Sequence, residues 1–272
     1  MGQNREGTFC AGGIVKQKHL DLIAKQNELE KQGLFDVNIV PPNVNTALPM
    51  TKDYKYIRDN HLCRAIGMTI SWLVNTFYFG LKIKGRKNLR ELKGKGAIVI
   101  CNHVSNLDNA MVRQAAFGRR LYTTVGWFNN RNDIFGKLMR GAGCLPIPNP
   151  DGADAMRLTV SFGNAIKHCL EKNDLVLFYP EQSLWWRYEK QRPFKDGAFY
   201  FASKHNVPVV PMFITWRKNK KYATIHVLKP IYPDGTKERK ENTEFLKQAS
   251  YDSIKNEVLC KIEFDQSKKN GH

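Results

Sequence analysis

Residues 97–108 read Ala97-Ile-Val-Ile-Cys-Asn-His-Val-Ser-Asn-Leu-Asp108. The apolar run 97–101 is unbroken, and polar residues follow it at once. A short continuous apolar run of this kind predicts a strand covered on both faces. Outward from it, 175–179 (LVLFY) repeats the pattern, and 81–83, 121–125, 144–147 and 209–215 also read as strands. Residues 222–228 alternate and predict a more exposed strand. Helical stretches fall between the runs, at 108–117, 133–140, 151–172 and 197–205, and 241–262 predicts a terminal helix. Leu158, Phe162, Ile166 and Leu170 recur every four residues, the core stripe of an amphipathic helix. Alternating strand and helix predicts an α/β fold with a single, mostly parallel sheet flanked by helices. Pro208 and Pro211 predict an edge strand or a bulged start for 209–215.

In open α/β sheets ligands bind beyond the carboxyl ends of the strands. His103 emerges at such an end, and Asp108 follows five residues later. A tight turn at that spacing brings the carboxylate onto the imidazole, where it fixes the tautomer and stabilises the imidazolium. The plainer alternative is that Asp108 caps its helix and His103 is a loop histidine. Glu181 follows the run 175–179 by two residues, at the same edge if the strands are parallel; its plainer reading is a surface-turn carboxylate. Cys101 lies inside the apolar run and reads as a packing residue. Trp185 and Trp186 read equally as packing or as a wall for an acyl chain. The other histidines have no partner at metal-ligand spacing, and no metal is expected.

The 272 residues carry 43 Lys+Arg against 25 Asp+Glu, a net charge of +18. That excess selects an anionic partner: nucleic acid, a membrane surface or a phosphorylated substrate. Residues 61–150 alone hold 14 basic and 3 acidic residues, so the charge is concentrated rather than diffuse. Within that segment, 65–81 (AIGMTISWLVNTFYFGL) is uncharged and aromatic, with basic residues close behind. It reads as an interfacial membrane helix, a buried helix or a short span, and each nearby cation adds about 1 kcal/mol toward an anionic leaflet. Residues 1–60 predict an N-terminal extension, with a short polar helix at 17–32 and an extended arm from 35 to 50. Six dispersed cysteines form no CxxC pair and read as reduced thiols of a cytosolic protein. No signal peptide opens the chain, and Glu6 stands where a myristoylated Met-Gly start needs Ser or Thr.

Three segments in order carry a family likeness. Asn102, His103 and Asp108, with Ser105, match an Asn-His-(four)-Asp block. Tyr179-Pro180-Glu181-Gln182-Ser183 matches in part a Phe-Pro-Glu-Gly-Thr-Arg block, with Gly197-Ala198 after it. Val207-Pro208-Val209-Val210-Pro211 matches a Val-Pro block. An upstream Gly-(three)-Leu turn fits Gly85 and Leu89. Over residues 60–228 the chain thereby resembles the glycerolipid acyltransferases, the 1-acyl-glycerol-3-phosphate acyltransferase-like family. It departs from the pattern where Gly143-Cys-Leu-Pro-Ile147 lacks a following Arg, and where Gln182 and Leu184 replace a Gly and an Arg. Arg187, Arg192 and Lys195, or Lys137 and Arg140, are the cations that could take the place of those lost.

The resemblance implies a glycerol-3-phosphate acyltransferase-like fold, with 61–82 as an apolar helix and 83–272 as the acyltransferase domain. It implies an O-acyltransferase moving a fatty acyl group from acyl-CoA or acyl-carrier protein to a lysophospholipid hydroxyl, giving phosphatidic acid from 1-acyl-sn-glycerol-3-phosphate. His103 would be the general base, oriented by Asp108. Asn102, Ser105, Glu181, Gln182, Ser183, Arg187, Arg192 and Lys195 would bind substrate. No cofactor is implied, because the thioester donor is already activated. Backbone N–H groups after Cys101 would meet the oxyanion. The implied setting is peripheral, on the cytoplasmic face of a membrane bearing anionic lipid, with no nucleic-acid partner. Rival readings are a catalytically silent surface protein, a nucleic-acid-binding module, or a hydrolase using the same His–Asp pair.

Overall fold

The computed structural model describes residues 9–10, 13–14, 17–39, 60–92, 94–131, 133–152, 154–217 and 222–270. Two two-residue strands, β1 (Phe9–Cys10) and β2 (Gly13–Ile14), pair antiparallel ahead of helix α1 (Gln17–Lys31). Most of the expected arm, 40–50, lies outside the described residues.

Seven strands form one sheet: β3 (Lys82–Lys84), β4 (Ala97–Ile100), β5 (Leu121–Val125), β6 (Cys144–Pro146), β7 (Leu175–Phe178), β8 (Val209–Arg217) and β9 (Tyr222–Val227). Their order is β3-β9-β8-β4-β7-β5-β6. Every neighbouring pair is parallel except β8 with β9. The mostly parallel sheet expected from the apolar runs is therefore present, and β4, the opening stretch, lies at its centre.

Side-chain alternation along β4 shows why its sequence has no polar gap. Ala97, Val99 and Cys101 enter one core with Met111, Val112 and Ala115 of helix α3 (Asp108–Ala115). Ile98 and Ile100 enter the other. There they meet Phe162 and Ile166 of helix α5 (Ala155–Glu171) and Phe199 of helix α6 (Gly197–Lys204), while Leu246 of helix α7 (Arg239–Ile254) joins the same core. A polar residue on either face would lose its water without gaining a partner. The expected α5 stripe is buried throughout: Leu158, Phe162, Ile166 and Leu170.

Of the two readings for 209–215 the bulged start is the one present, and the expectation of an exposed β9 is corrected. β8 is not an edge strand, since it pairs with both β4 and β9. Pro211 is accommodated by a bulge: Val209 bridges Ile231 and Met212 pairs with Val227, so three steps on β8 face four on the partner. The missing N–H falls inside that mismatch. β9 is mostly buried rather than exposed, because β3 covers its outer edge and Ala223, Ile225 and Val227 enter the core. Gly85 supports this packing. Its φ is +75°, and a Cβ would sit 2.1 Å from the Val227 carbonyl oxygen, so only glycine fits.

The stretch 65–81 becomes helix α2 (His61–Leu73) followed by a π-turn, Val74–Tyr78. Asn60 caps α2 by accepting from the N–H groups of Leu62 and Cys63. No helix among the described residues is long and apolar enough to cross a membrane. Nor is α2 wholly buried: Leu62, Ile66, Ile70, Leu73 and Phe77 form an exposed apolar stripe, Phe77 reaching 78% exposure. Helix α4 (Ile134–Gly141) joins α2 through a bond from Asn60 N–H to the Gly141 carbonyl, 2.9 Å. It leaves Ile134 and Phe135 exposed. The terminal helix is interrupted by a π-turn, Lys255–Leu259, before α8 (Cys260–Asn270).

Candidate active site

β4 and β7 are parallel neighbours, so the residues that follow them leave the sheet at the same edge. His103 and Glu181 meet there. The turn after β4 folds Asp108, the first residue of α3, back onto the imidazole, with His103 Nδ1 2.7 Å from Asp108 Oδ2. The same oxygen accepts from the N–H groups of Val104 (3.1 Å) and Ser105 (3.3 Å). Asp108 Oδ1 accepts from the Tyr179 hydroxyl at 2.7 Å. Four donors therefore hold the carboxylate, and Nδ1 is its imidazole donor. That tautomer leaves the lone pair on His103 Nε2, on a side chain 23% exposed above a buried Asp108.

Tyr179 also stacks on His103, with ring centroids 4.3 Å apart. Burial, then the nearby Asp108 charge, pushes its phenol pKa well above the ordinary value, so it stays a donor. Sequence reasoning did not single it out. The available signal was a Tyr where the resembled block has Phe: one extra hydroxyl at the end of a buried strand.

Glu181 does not project into solvent. Its Oε2 accepts from the His103 N–H (3.2 Å) and from Arg192 Nη2 (2.6 Å), and the Arg192 backbone N–H reaches Oε1 at 3.3 Å. Burial raises the Glu181 pKa, and the Arg192 charge counters it. Arg192 also donates to Ser183 Oγ and to the Ser183 carbonyl, both 2.7 Å. Arg192 thus lies eleven residues beyond Glu181 in the chain and buried against it. Glu181, Ser183 and Arg192 form a buried brace behind His103 rather than a surface presented to substrate. The brace reaches residues before α2: Ser183 Oγ donates to the Phe35 carbonyl (2.6 Å), Leu184 N–H to Asn38 Oδ1 (3.2 Å) and Trp185 Nε1 to the Val37 carbonyl (3.1 Å). Trp185 is therefore packed under the N-terminal segment, stacked on Phe35.

The remaining expected residues are placed as follows. Asn102 is turned away and laces β4 to β8, its Nδ2 donating to the Ile214 carbonyl (3.0 Å) and its Oδ1 accepting from the Ile214 N–H (2.8 Å). Ser105 Oγ accepts from the Leu107 N–H. Gln182 is exposed with φ +62°, the left-handed conformation a glycine adopts freely. The turn is kept at a cost of about 1–2 kcal/mol. Arg187 is half-buried between Trp186 and Trp216, 4.8 Å from each ring, and its N–H donates to the Val104 carbonyl. Lys195 pairs with Asp36 at 2.7 Å. Arg140 donates to Asn130 and to the Arg131 carbonyl, and Lys137 is exposed. Cys101 is buried in the core, as expected of a packing residue. The N–H groups of His103, Val104 and Ser105 are already committed to Glu181 and Asp108. They do not serve as the oxyanion donors expected after Cys101.

Among the described residues, no group of three His, Cys, Asp or Glu side chains is arranged to hold a metal ion. The arrangement suits proton transfer: an oriented imidazole with one accessible nitrogen, on a rigid strand end.

The solved 1-acyl-sn-glycerophosphate acyltransferase of Thermotoga maritima shares the fold, with TM-score 0.51 and 18% identity over 69% of this chain and 78% of that one. The 1-acyl-sn-glycerol-3-phosphate acyltransferase of Salmonella typhimurium is 30% identical over 147 residues, 52% of this chain and 56% of that protein. The human 1-acyl-sn-glycerol-3-phosphate acyltransferase beta is 26% identical over 184 residues, 61% of this chain and 62% of that protein. The chain thus matches between about half and two thirds of the length of these curated relatives. A family model described as acyltransferase matches residues 80–215, from the turn before β3 to within β8. Those residues include the His103–Asp108 pair and the Glu181–Arg192 brace, and the chain belongs to the acyltransferase family.

Proposed function

We propose that the chain is an O-acyltransferase. It transfers a fatty acyl group from acyl-CoA or acyl-carrier protein to the free hydroxyl of 1-acyl-sn-glycerol-3-phosphate, giving phosphatidic acid. The observation that carries this reading is the 2.7 Å contact of His103 Nδ1 with Asp108 at the end of the central strand. His103 Nε2 takes the hydroxyl proton as the oxygen attacks the thioester carbonyl. Collapse of the tetrahedral intermediate breaks the C–S bond, and the imidazolium returns its proton to the departing thiolate. The products are an ester and a free thiol, and the enzyme is unchanged. General-base help of this kind is worth about 10²–10⁴-fold. Asp108 acts through orientation and charge, while Tyr179 and the Glu181–Arg192 brace hold the pair in place.

Arg187 supports the acceptor assignment. It is the cation whose backbone joins the His103 turn, and its guanidinium is flanked by indole faces that order it for a phosphate. The exposed α2 stripe supports a peripheral position on the cytoplasmic face of an anionic membrane. Its five large apolar side chains are exposed, and Lys82, Lys84 and Arg86 follow within nine residues of Phe77. The test is to offer the purified chain acyl-CoA and acyl-carrier protein donors with a panel of lysophospholipids. Diacyl product from lysophosphatidate is expected. Free fatty acid without acceptor would favour a hydrolase, and no turnover with any acceptor would favour the silent reading.

A further inference from the structure

Arg187 has φ +49°, a left-handed backbone conformation that residues other than glycine rarely adopt. Backbone strain of this kind points to a function when the surrounding structure enforces it. The peptide group between Trp186 and Arg187 is bonded at both ends. Its N–H donates to the Val104 carbonyl in the turn after His103 (2.8 Å), and its carbonyl accepts from Gln26 Nε2 (2.9 Å). The N–H and C=O of a trans peptide point in opposite directions, so one bond alone would let the plane pivot and the two together fix it. Gln26 lies in α1, 160 residues before Trp186. Among the described side chains of that helix it alone is buried. His19, about two turns earlier on the same helix face, stacks on the Trp186 ring with centroids 4.2 Å apart. α1 therefore holds residue 186 by both its backbone and its ring, and a Lys190–Glu30 contact of 2.6 Å ties the same loop to the helix.

We propose that Gln26 is a positioning residue for the acceptor site: by fixing the 186–187 peptide it holds the Arg187 guanidinium between Trp186 and Trp216, where it meets the lysophosphatidate phosphate. The proposal rests on the acceptor role given to Arg187 above. The guanidinium lies 4.8 Å from each indole ring. That slot is built from three separate parts of the chain. Trp186 comes from the loop after β7, Trp216 from near the end of β8, and α1 sets the Trp186 side through Gln26 and His19. Loss of the Gln26 donor frees one end of the peptide. Arg187 can then relax toward negative φ, which turns its Cα–Cβ bond, and with it the guanidinium, out of the slot. His103 is less affected, because its own ties to the loop, from the Trp185 N–H (3.0 Å) and to Glu181 (3.2 Å), do not pass through the 186–187 peptide. Gln26 thus acts on acceptor binding rather than on proton transfer.

The test is steady-state acylation of 1-hexanoyl-sn-glycerol-3-phosphate by the full chain and by Gln26→Met, Arg187→Gln and the double variant. Melting curves check that each folds, and Gln26→Glu, whose ionised side chain cannot donate, repeats the test at nearly constant volume. Gln26→Met and Gln26→Glu should raise the acceptor KM roughly three- to tenfold, the worth of one hydrogen bond. Their kcat and acyl-CoA KM should stay within about twofold of wild type. In the Arg187→Gln background, Gln26→Met should change the acceptor KM by less than about twofold, because the group it positions is gone. Amide hydrogen exchange in Gln26→Met should speed up at Arg187 more than at Trp185. An acceptor KM unchanged by Gln26→Met where Arg187→Gln raises it would overturn the proposal and leave the acceptor role of Arg187 standing. A fall in kcat equal to the rise in KM, or full additivity in the double variant, would also overturn it, since either assigns Gln26 to the fold at large. An acceptor KM unchanged by Arg187→Gln would refute the phosphate role of Arg187, and the positioning role falls with it.

Discussion

Arg192→Met tests the brace behind His103. Arg192 is fully buried, and its partner Glu181 is 1% exposed. The guanidinium reaches Glu181 Oε2 at 2.6 Å and both the Ser183 hydroxyl and carbonyl at 2.7 Å, with weaker reach to the Phe35 and His103 carbonyls at 3.4 Å. Methionine fills much of the volume but leaves Glu181 as a buried carboxylate without its cation. Breaking a buried pair from one side costs about 3–5 kcal/mol. At ~2–4 °C per kcal/mol for a domain of this size, the melting temperature should fall by about 6–20 °C. The assay is urea and thermal unfolding of wild type, Arg192→Met, Glu181→Gln and the double variant at pH 7. The double variant should be more stable than Arg192→Met alone, because its buried amide carries no charge. Without the guanidinium, burial holds the Glu181 pKa still higher. Its proton is then favoured in the folded state, so stability is greatest below the unfolded carboxyl value and is lost as pH rises through the folded one. The Arg192→Met deficit should therefore be smaller at pH 5 than at pH 8. A deficit under about 1 kcal/mol, or strictly additive single effects, would refute the reasoning.

Further outcomes follow from the same contacts. Tyr179→Phe keeps the ring on His103 but deletes the donor to Asp108 Oδ1; kcat should fall roughly three- to tenfold with KM unchanged, and an unaltered kcat would reduce the phenol to packing. His226, facing Lys84 and bonded to Thr215 Oγ1 at 2.9 Å, has its pKa lowered by burial from 6.5 to about 4. The stability it contributes, up to about 3 kcal/mol, is present above pH 6.5 and lost as pH falls through about 4. His226→Gln should flatten that slope, and an unchanged profile would contradict the assignment. Phe77→Ser removes the most exposed ring of the stripe, and flotation with anionic vesicles should weaken by roughly tenfold or more. Equal flotation of the wild type with neutral vesicles would undercut the basic rim.

What was legible in the sequence was whatever burial imposes on consecutive residues. β4 and β7 face a core on both sides, so their apolar runs have no gap and mark both the strands and the edge where they end. The five-residue spacing of His103 and Asp108 is a local turn and carried its geometry in the sequence. Contacts that depend on how distant loops fold back were not legible. Arg192 meets Glu181 only because the segment after β7 is pinned by bonds from the Trp185 and Arg187 N–H groups to the His103 and Val104 carbonyls. Ser183 carries a hydroxyl suited to substrate, yet it is occupied by Phe35, 148 residues earlier. The family block implies Asn102 as a ligand, but its amide matches the spacing of one backbone N–H and one carbonyl on β8. The interior position of β8 was hidden by Pro211, whose missing N–H suits an edge and a bulge equally well.

The role proposed for His103 Nε2 is that of base in acyl transfer to a lysophosphatidate hydroxyl. Its most direct measurement is the single-turnover rate of lysophosphatidate acylation from acyl-CoA by wild type and His103→Ala, on protein shown to be folded by its melting curve. A loss of about 10²-fold or more is expected in the variant, with lysophosphatidate binding retained. An unchanged rate in folded His103→Ala would contradict it.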